Sequence, residues 1–253
     1  MEGCLVFEPL TLDELKTMRE AGKVASIVLK ELKVFIKDKI TTKDIEKFFE
    51  KKIADYPEMS AAFKGFMGYT ASCCVSVNEE IIHGIPSGRV IKDGDLVSVD
   101  LGIKYKGLFV DTAYTYPVGK VSKAARNLVA VSKRSLDEGI RRIKVGARIG
   151  DVSNAIQTFV EKKGFSVIRK FVGHGIGRDL HTPPEVPNFG DKGEGMELVN
   201  GQAIAVEPMV SAGSYDIKIL SDGWTAKTKD DSLSAHFEHT IAVTKKGPWI
   251  LTA

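Results

Sequence analysis

The spacing of apolar and polar residues changes along the chain, and the changes mark its elements. Leu15, Met18, Ala21, Ala25, Val28, Leu29, Leu32 and Phe35 recur near the spacing of one helical face, after a T-L-D-E opening at 11–14 that matches a capping box. The pattern predicts a helix over 12–35 with its stripe against a core. Thr41 or Thr42 caps a second helix carrying Ile45, Phe48, Phe49 and Ile53, closed by Tyr56-Pro57. Its charged cluster over 46–52 reads as a solvated face. Residues 60–70 read as a loop, and the alternation over 73–78 as a strand. The stretch 96–117 alternates through two arms joined by a polar piece at 104–107, which predicts a β-hairpin with one buried face.

After residue 120 a helix opens at Ser122 and runs through Leu128, Leu136 and Ile143. Asp151 caps another, which Gly164 ends. A strand over 166–172 leads to a Gly-rich loop, GHGIGRDLH, at 173–181. The stretch 183–196 is irregular, and strands follow over 202–210, 234–243 and 249–251. The element order of the first part therefore recurs in the second. This predicts one α+β domain over 1–253, made of two αβ halves at about 1–120 and 121–253. They face each other across a pseudo-twofold, strands inside and helices outside.

Composition narrows the function classes. The chain is 43% hydrophobic and 27% charged, as ordinary globular proteins are, and its net charge of +3 gives no argument for specific nucleic-acid binding. No apolar run approaches a membrane span, and the N-terminal region lacks the pattern of a signal peptide. Cys4, Cys73 and Cys74 are odd in number, and the adjacent pair point to opposite faces if extended, so a reducing, cytoplasmic setting is expected.

The chemistry lies in what interrupts the strands. Asp100 and Asp111 sit among valines, leucines and aromatics of the hairpin, where an unpaired charge costs several kcal/mol, of the order of ~5. Glu207 and Glu238 interrupt later strands in the same way, and His174 lies in the Gly-rich loop. One imidazole with four carboxylates suits Mn, Fe(II), Co or Zn rather than a thiolate zinc site. Five ligands exceed one tetrahedral ion but suit two divalent ions sharing carboxylates, and four carboxylates bring such a pair near neutrality.

Six short motifs stand in order around these residues: HGIP (83–86), VDLG (99–102), VDTA around Asp111, GHGIG (173–177), VEPM (206–209) and FEHT (237–240). Together they resemble the motifs of type I methionine aminopeptidases in their short bacterial form, over essentially the whole chain. The resemblance implies the pita-bread fold, with a curved antiparallel sheet inside and helices outside. It also implies removal of the initiator methionine from nascent proteins, preferentially before a small second residue, by a hydroxide bridging two divalent ions. It implies that Asp100 chelates one ion, that His174 and Glu207 hold the other, and that Asp111 and Glu238 bridge both. Glu207 would also relay a proton, and His83 and His181 would contact substrate at the leaving nitrogen and the carbonyl. Phe63, Phe66, Tyr69, Cys74, Leu180 and Trp224 would line the methionine pocket, with Phe63, Phe66 and Leu180 departing from commoner members. Asn78 and Ser234 fall at positions resembling a monovalent-cation site. A monomer in transient contact with ribosomes is the expected form.

Other readings are weaker. His236 shares the face of Glu238 by alternation and His239 the opposite one. Cys74 lacks a paired His motif, so it is read as pocket lining rather than a nucleophile. GHGIG is not followed by the GK[ST] of a phosphate loop. A proline-directed peptidase of the same fold usually carries an extra N-terminal domain. A ligand-free binding module on this fold would not keep all five metal-competent residues.

Overall fold

The computed structural model describes residues 8–253, so Cys4 lies outside the described residues. Helix α1 (Leu12–Phe35) starts as its sequence dictates: Thr11 Oγ1 accepts the Glu14 N–H at 3.2 Å, and Glu14 Oε2 accepts the Thr11 N–H at 2.8 Å. Its stripe of Leu15, Met18, Ala25 and Leu32 is buried. Helix α2 (Thr42–Ile53) uses Thr41 and Asp44 as a second capping box, and it stops three residues before Tyr56 in a turn closed by the Tyr56 N–H on the Ile53 carbonyl. Glu46 departs from the solvated face expected of it. It is 1% exposed, accepts the Ser72 N–H at 2.9 Å and pairs with the Lys43 ammonium, because α2 lies over the loop that carries Ser72.

Strand β1 (Met59–Ala61), which overlaps the start of the stretch read as loop, pairs with β4. A single 3-10 turn (Phe66–Gly68), β2 (Cys74–Val77) and β3 (Glu80–Ile82) follow. The long hairpin is β4 (Leu96–Tyr105) and β5 (Leu108–Pro117), antiparallel over its whole length. Its register sets Asp100 opposite Ala113 and Asp111 opposite Gly102, so the two carboxylates are diagonal neighbours on one face. Gly102 stands on that face for want of room: a Cβ there would lie 2.6 Å from Phe63 Cε1. Most hairpin residues are buried, on both faces, which corrects the one-face expectation. Helix α1 covers the outer face, with the Tyr116 hydroxyl donating to the Leu29 carbonyl at 2.7 Å, and strands from the C-terminal part close over the other.

Helices α3 (Lys123–Ile140) and α4 (Ile149–Lys162) pack on one another. Asp151 is the third residue of α4 rather than its cap: its carboxylate accepts the Arg148 N–H at 2.9 Å. The remaining strands are β6 (Ser166–Val167), β7 (Gly173–Gly175), β8 (Thr182–Val186), β9 (Ala203–Val206) and β10 (Met209–Ser211). Then come β11 (Ile217–Ile219), β12 (Ala226–Thr228), β13 (Ser234–His236), β14 (His239–Thr244) and β15 (Gly247–Ile250). They form antiparallel sheets in the orders β15-β14-β9-β7-β8, β13-β10-β6 and β11-β12-β3.

Two expected strands are broken. The one over 202–210 splits at Glu207-Pro208, and the one over 234–243 at Phe237-Glu238. In each case the chain leaves the five-stranded sheet or enters it from the three-stranded one. Pro208 has no N–H for a ladder, which favours the break there. His174, expected in a loop, sits on β7. The strand over 166–172 shortens to two residues, after which the Ile168 N–H still reaches the Met209 carbonyl at 2.9 Å.

One apolar cluster lies beneath α1 and α2 (Met18, Leu32, Phe49, Leu101) and a second beneath α3 and α4 (Leu128, Ile156, Val206, Phe237). Between them, β5 meets the β13–β14 segment through threonine hydroxyls. Thr240 Oγ1 accepts the Asp111 N–H and donates to the Asp111 carbonyl, both at 2.8 Å. Thr112 Oγ1 donates to the Glu238 carbonyl at 2.8 Å, and the Glu238 N–H donates to the Ala113 carbonyl at 3.0 Å. Thr115 Oγ1 both donates to the His236 carbonyl and accepts the His236 N–H at 2.8 Å. This seam sets the main chains of Asp111 and Glu238 against each other.

Candidate metal centre

Five side chains from distant parts of the chain converge where these strands meet. Asp100 comes from β4, Asp111 from β5, His174 from β7, and Glu207 and Glu238 from the two strand breaks. In each of the sets Asp100/Asp111/Glu238 and His174/Glu207/Glu238, one donor atom per residue lies within 4.8 Å of the others. A third set, Asp111/His174/His181, adds the solvent-facing His181 at the same spacing.

The electrostatics of the cluster are severe without a cation. Burial, then mutual repulsion, raises the carboxyls of Asp100, Glu207 and Glu238 well above the usual carboxylate range. Burial pushes Asp111 up to about 6. Asp100 Oδ1, Asp111 Oδ1 and Glu238 Oε1 are buried without a hydrogen-bond partner. Such orphaned acceptors are costly, and a cation relieves both the repulsion and the missing partners. The donor set fits divalent ions that take oxygen and imidazole ligands.

The imidazoles are prepared for this. Burial holds His174 neutral, its pKa lowered to about 3. Its Nδ1 lies 2.9 Å from the Gly175 carbonyl, an arrangement that places the proton on Nδ1 and leaves the Nε2 lone pair facing the cluster. That Nε2 stands 3.6 Å from Glu207 Oε1 and 4.0 Å from Asp111 Oδ2. His83 is likewise neutral, lowered to about 4 by burial and then by His181. It is held at φ +59°, a left-handed conformation that carries strain in a non-glycine residue. Gly84 beside it anchors that bend: its N–H donates to Ser76 Oγ at 3.1 Å and its carbonyl accepts from Val75 at 2.8 Å.

A cavity of about 540 Å³ opens onto the cluster. Phe63, Phe66, Tyr69, Cys74, Leu180 and Trp224 all line it, together with His83 and His181. Phe66 meets His181 edge-on at 5.0 Å, and Tyr69 meets Trp224 edge-on at 5.1 Å. Burial pushes the Cys74 thiol up, which leaves it an inert wall rather than a nucleophile. Sequence reasoning passed over Ile82, Phe171 and the rim residues Met67, Lys170 and Glu185, which share the lining. Phe171 packs edge-on to His83 at 5.4 Å. The neighbour of the His83 motif, Ile82, was within reach of the sequence pattern, while Phe171 was hidden in a stretch read as strand.

The sequence profile described as Metallopeptidase family M24 matches residues 16–245. The chain belongs to metallopeptidase family M24. It is 47% identical over 239 residues to methionine aminopeptidase 1 of Bacillus subtilis, covering 94% of this chain and 96% of the relative. It is 38% identical to the methionine aminopeptidase of Escherichia coli, over 96% of this chain and 92% of that one. The crystal structure of a methionine aminopeptidase from Thermotoga maritima superposes with a TM-score of 0.95 at 45% identity, covering 98% of this chain and 99% of that one. An Xaa-Pro dipeptidase from Bacillus anthracis shares the fold alone, with a TM-score of 0.75 at 22% identity over 61% of its own length. Within the M24 metallopeptidases the chain thus stands among the methionine aminopeptidases, and its architecture is their pita-bread fold. No helix of the described residues is long and apolar enough to cross a membrane.

Proposed function

We propose that this M24 peptidase removes the initiator methionine from nascent polypeptides, preferentially where the second residue is small. The observation that carries the reading is the convergence of Asp100, Asp111, His174, Glu207 and Glu238 on the floor of an aromatic-lined cavity. Asp100 would hold one divalent ion, His174 and Glu207 the other, and Asp111 and Glu238 would contribute to both. Bound there, two such ions would supply Lewis acidity for the scissile carbonyl and for an attacking water.

The chain's own residues do the rest. Glu207, beside the cluster, would take a proton from the attacking water and pass it to the departing amine. His181, at the cavity mouth, donates to the carbonyl oxygen as it gains charge, and His83 stands by the leaving nitrogen. Phe63, Phe66, Tyr69, Cys74, Leu180 and Trp224 receive the methionine side chain, whose thioether suits aromatic walls. The ligand set favours Mn, Fe(II), Co or Zn. A monovalent cation beside Asn78 and Ser234 is part of the reading, supported by Ser234 Oγ, which is buried and without a hydrogen-bond partner. The enzyme acts as a single cytoplasmic domain of two αβ halves, a monomer in transient contact with ribosomes.

The test is a peptide panel with chelated and metal-restored protein. Chelated protein should be inert toward Met-Ala-Ser and regain activity with Mn, Fe(II) or Co, with Met-Ala cleaved faster than Met-Leu. Activity that survives exhaustive chelation, or faster cleavage of X-Pro peptides, would overturn the proposal.

A further inference from the structure

The Glu207 carboxylate lies between two imidazoles, and only one belongs to the cluster. Its Oε1 is 3.6 Å from His174 Nε2, while its Oε2 is 3.8 Å from Nε2 of His236. His236 is 1% exposed, and its Nε2 is buried with no hydrogen-bond partner. None of the three donor sets includes it. A buried ring nitrogen without a partner is uncommon enough to need a reason.

The backbone supplies one. Both peptide groups of His236 are fixed by the Thr115 hydroxyl, so the backbone that carries the ring is held in place. The register of β10 and β13 sets His236 directly opposite Met209, two residues beyond Glu207. Glu207 is also held at its main chain, where Asn188 Nδ2 donates to its carbonyl at 3.1 Å. Its carboxylate is therefore the free part of the pair. A small turn of that group closes the gap to hydrogen-bond range, about 3 Å.

We propose that His236 is the positioning residue of Glu207: its ring donates from Nε2 to Oε2 and turns Oε1 toward His174, the orientation a metal ligand there would need. This rests on the metal reading of the cluster. Second partners of this kind fix the angle of a ligating carboxylate, and their loss costs about tenfold to a hundredfold in metal affinity. His236 itself touches neither ion nor substrate.

The test compares wild type, His236→Gln, whose amide keeps an N–H donor, and His236→Leu, which has none. Metal-free samples are titrated with Mn²⁺ by calorimetry. His236→Leu should bind about tenfold to a hundredfold more weakly, and His236→Gln close to wild type. Unimpaired binding by His236→Leu, or an equal loss in both variants, overturns the positioning role. Nitrogen NMR of the wild-type ring gives a reading that does not depend on the variants folding. A proton on Nε2 of His236 is expected, and a proton on Nδ1 alone overturns the proposal. Wild-type protein that takes up no Mn²⁺, Fe(II) or Co²⁺ would instead overturn the functional reading beneath it.

Discussion

Replacing Asp111 by Asn should stabilise the protein when it holds no metal and disable it when metal is present. The side chain is 4% exposed, and its Oδ1 has no hydrogen-bond partner. Burial raises the carboxyl to about 6 from an ordinary value near 3.9. A carboxyl raised by folding binds its proton more tightly in the native state than in the unfolded chain. Its penalty on stability is therefore small below pH ~4, grows as pH rises through ~4 to ~6, and is complete above that. Two units of difference correspond to about 3 kcal/mol at pH 8. Asn has no charge to desolvate, so the metal-free variant should gain about that amount, a Tm rise of about 6–12 °C for a chain of this size. The gain should shrink as pH falls from 6 toward 4. The charge of Asp111 also helps to raise the carboxyls of Asp100, Glu207 and Glu238, so its removal favours the metal-free variant in the same direction. With saturating Mn²⁺ the order should reverse, because the variant lacks a carboxylate that would hold the metal. Thermal unfolding in chelator and in Mn²⁺, at pH 5 and pH 8, reads all four conditions. A metal-free variant no more stable than wild type at pH 8 would refute the reasoning.

Three further outcomes follow from the geometry. Glu207→Gln should lower kcat by about 10²–10⁴ with native folding retained, since it would remove the carrier proposed for the proton, and steady-state kinetics on Met-Ala-Ser checks this. Thr115→Val removes three hydrogen bonds, to Ser98 Oγ and to both peptide groups of His236, and leaves the latter unpaired in the seam. It should cost about 2–4 kcal/mol in urea unfolding. Gly102→Ala would push the Phe63 ring out of its place, 2.6 Å from the new Cβ, and should raise KM for methionine peptides more than it lowers kcat.

The candidate site was more legible in the sequence than the sheets that carry it. Asp100 and Asp111 stand out because a charge among valines has few explanations, and the same logic reaches Glu207 and Glu238. The helices were legible because Thr11-Glu14 and Thr41-Asp44 announce their starts locally. What stayed hidden depends on partners far away in the chain. Alternation cannot show that 202–210 and 234–243 change sheets part-way, because Val206 and Met209 look alike as strand residues wherever they pair. Thr112, Thr115 and Thr240 read as ordinary strand formers, and their role appears only once β5 and β14 are side by side. The burial of Glu46 is hidden for the same reason: the Ser72 N–H that it caps is 26 residues away.

The threonine seam also bears on when the catalyst comes into being. The hydroxyl that brackets the Asp111 peptide belongs to a residue 129 positions later. Contacts of such sequence separation form late, after the loop-closure entropy has been met. During its own synthesis the chain must therefore stay inert until its last strands have left the ribosome, and a copy cut short before Thr240 has no competent site to offer.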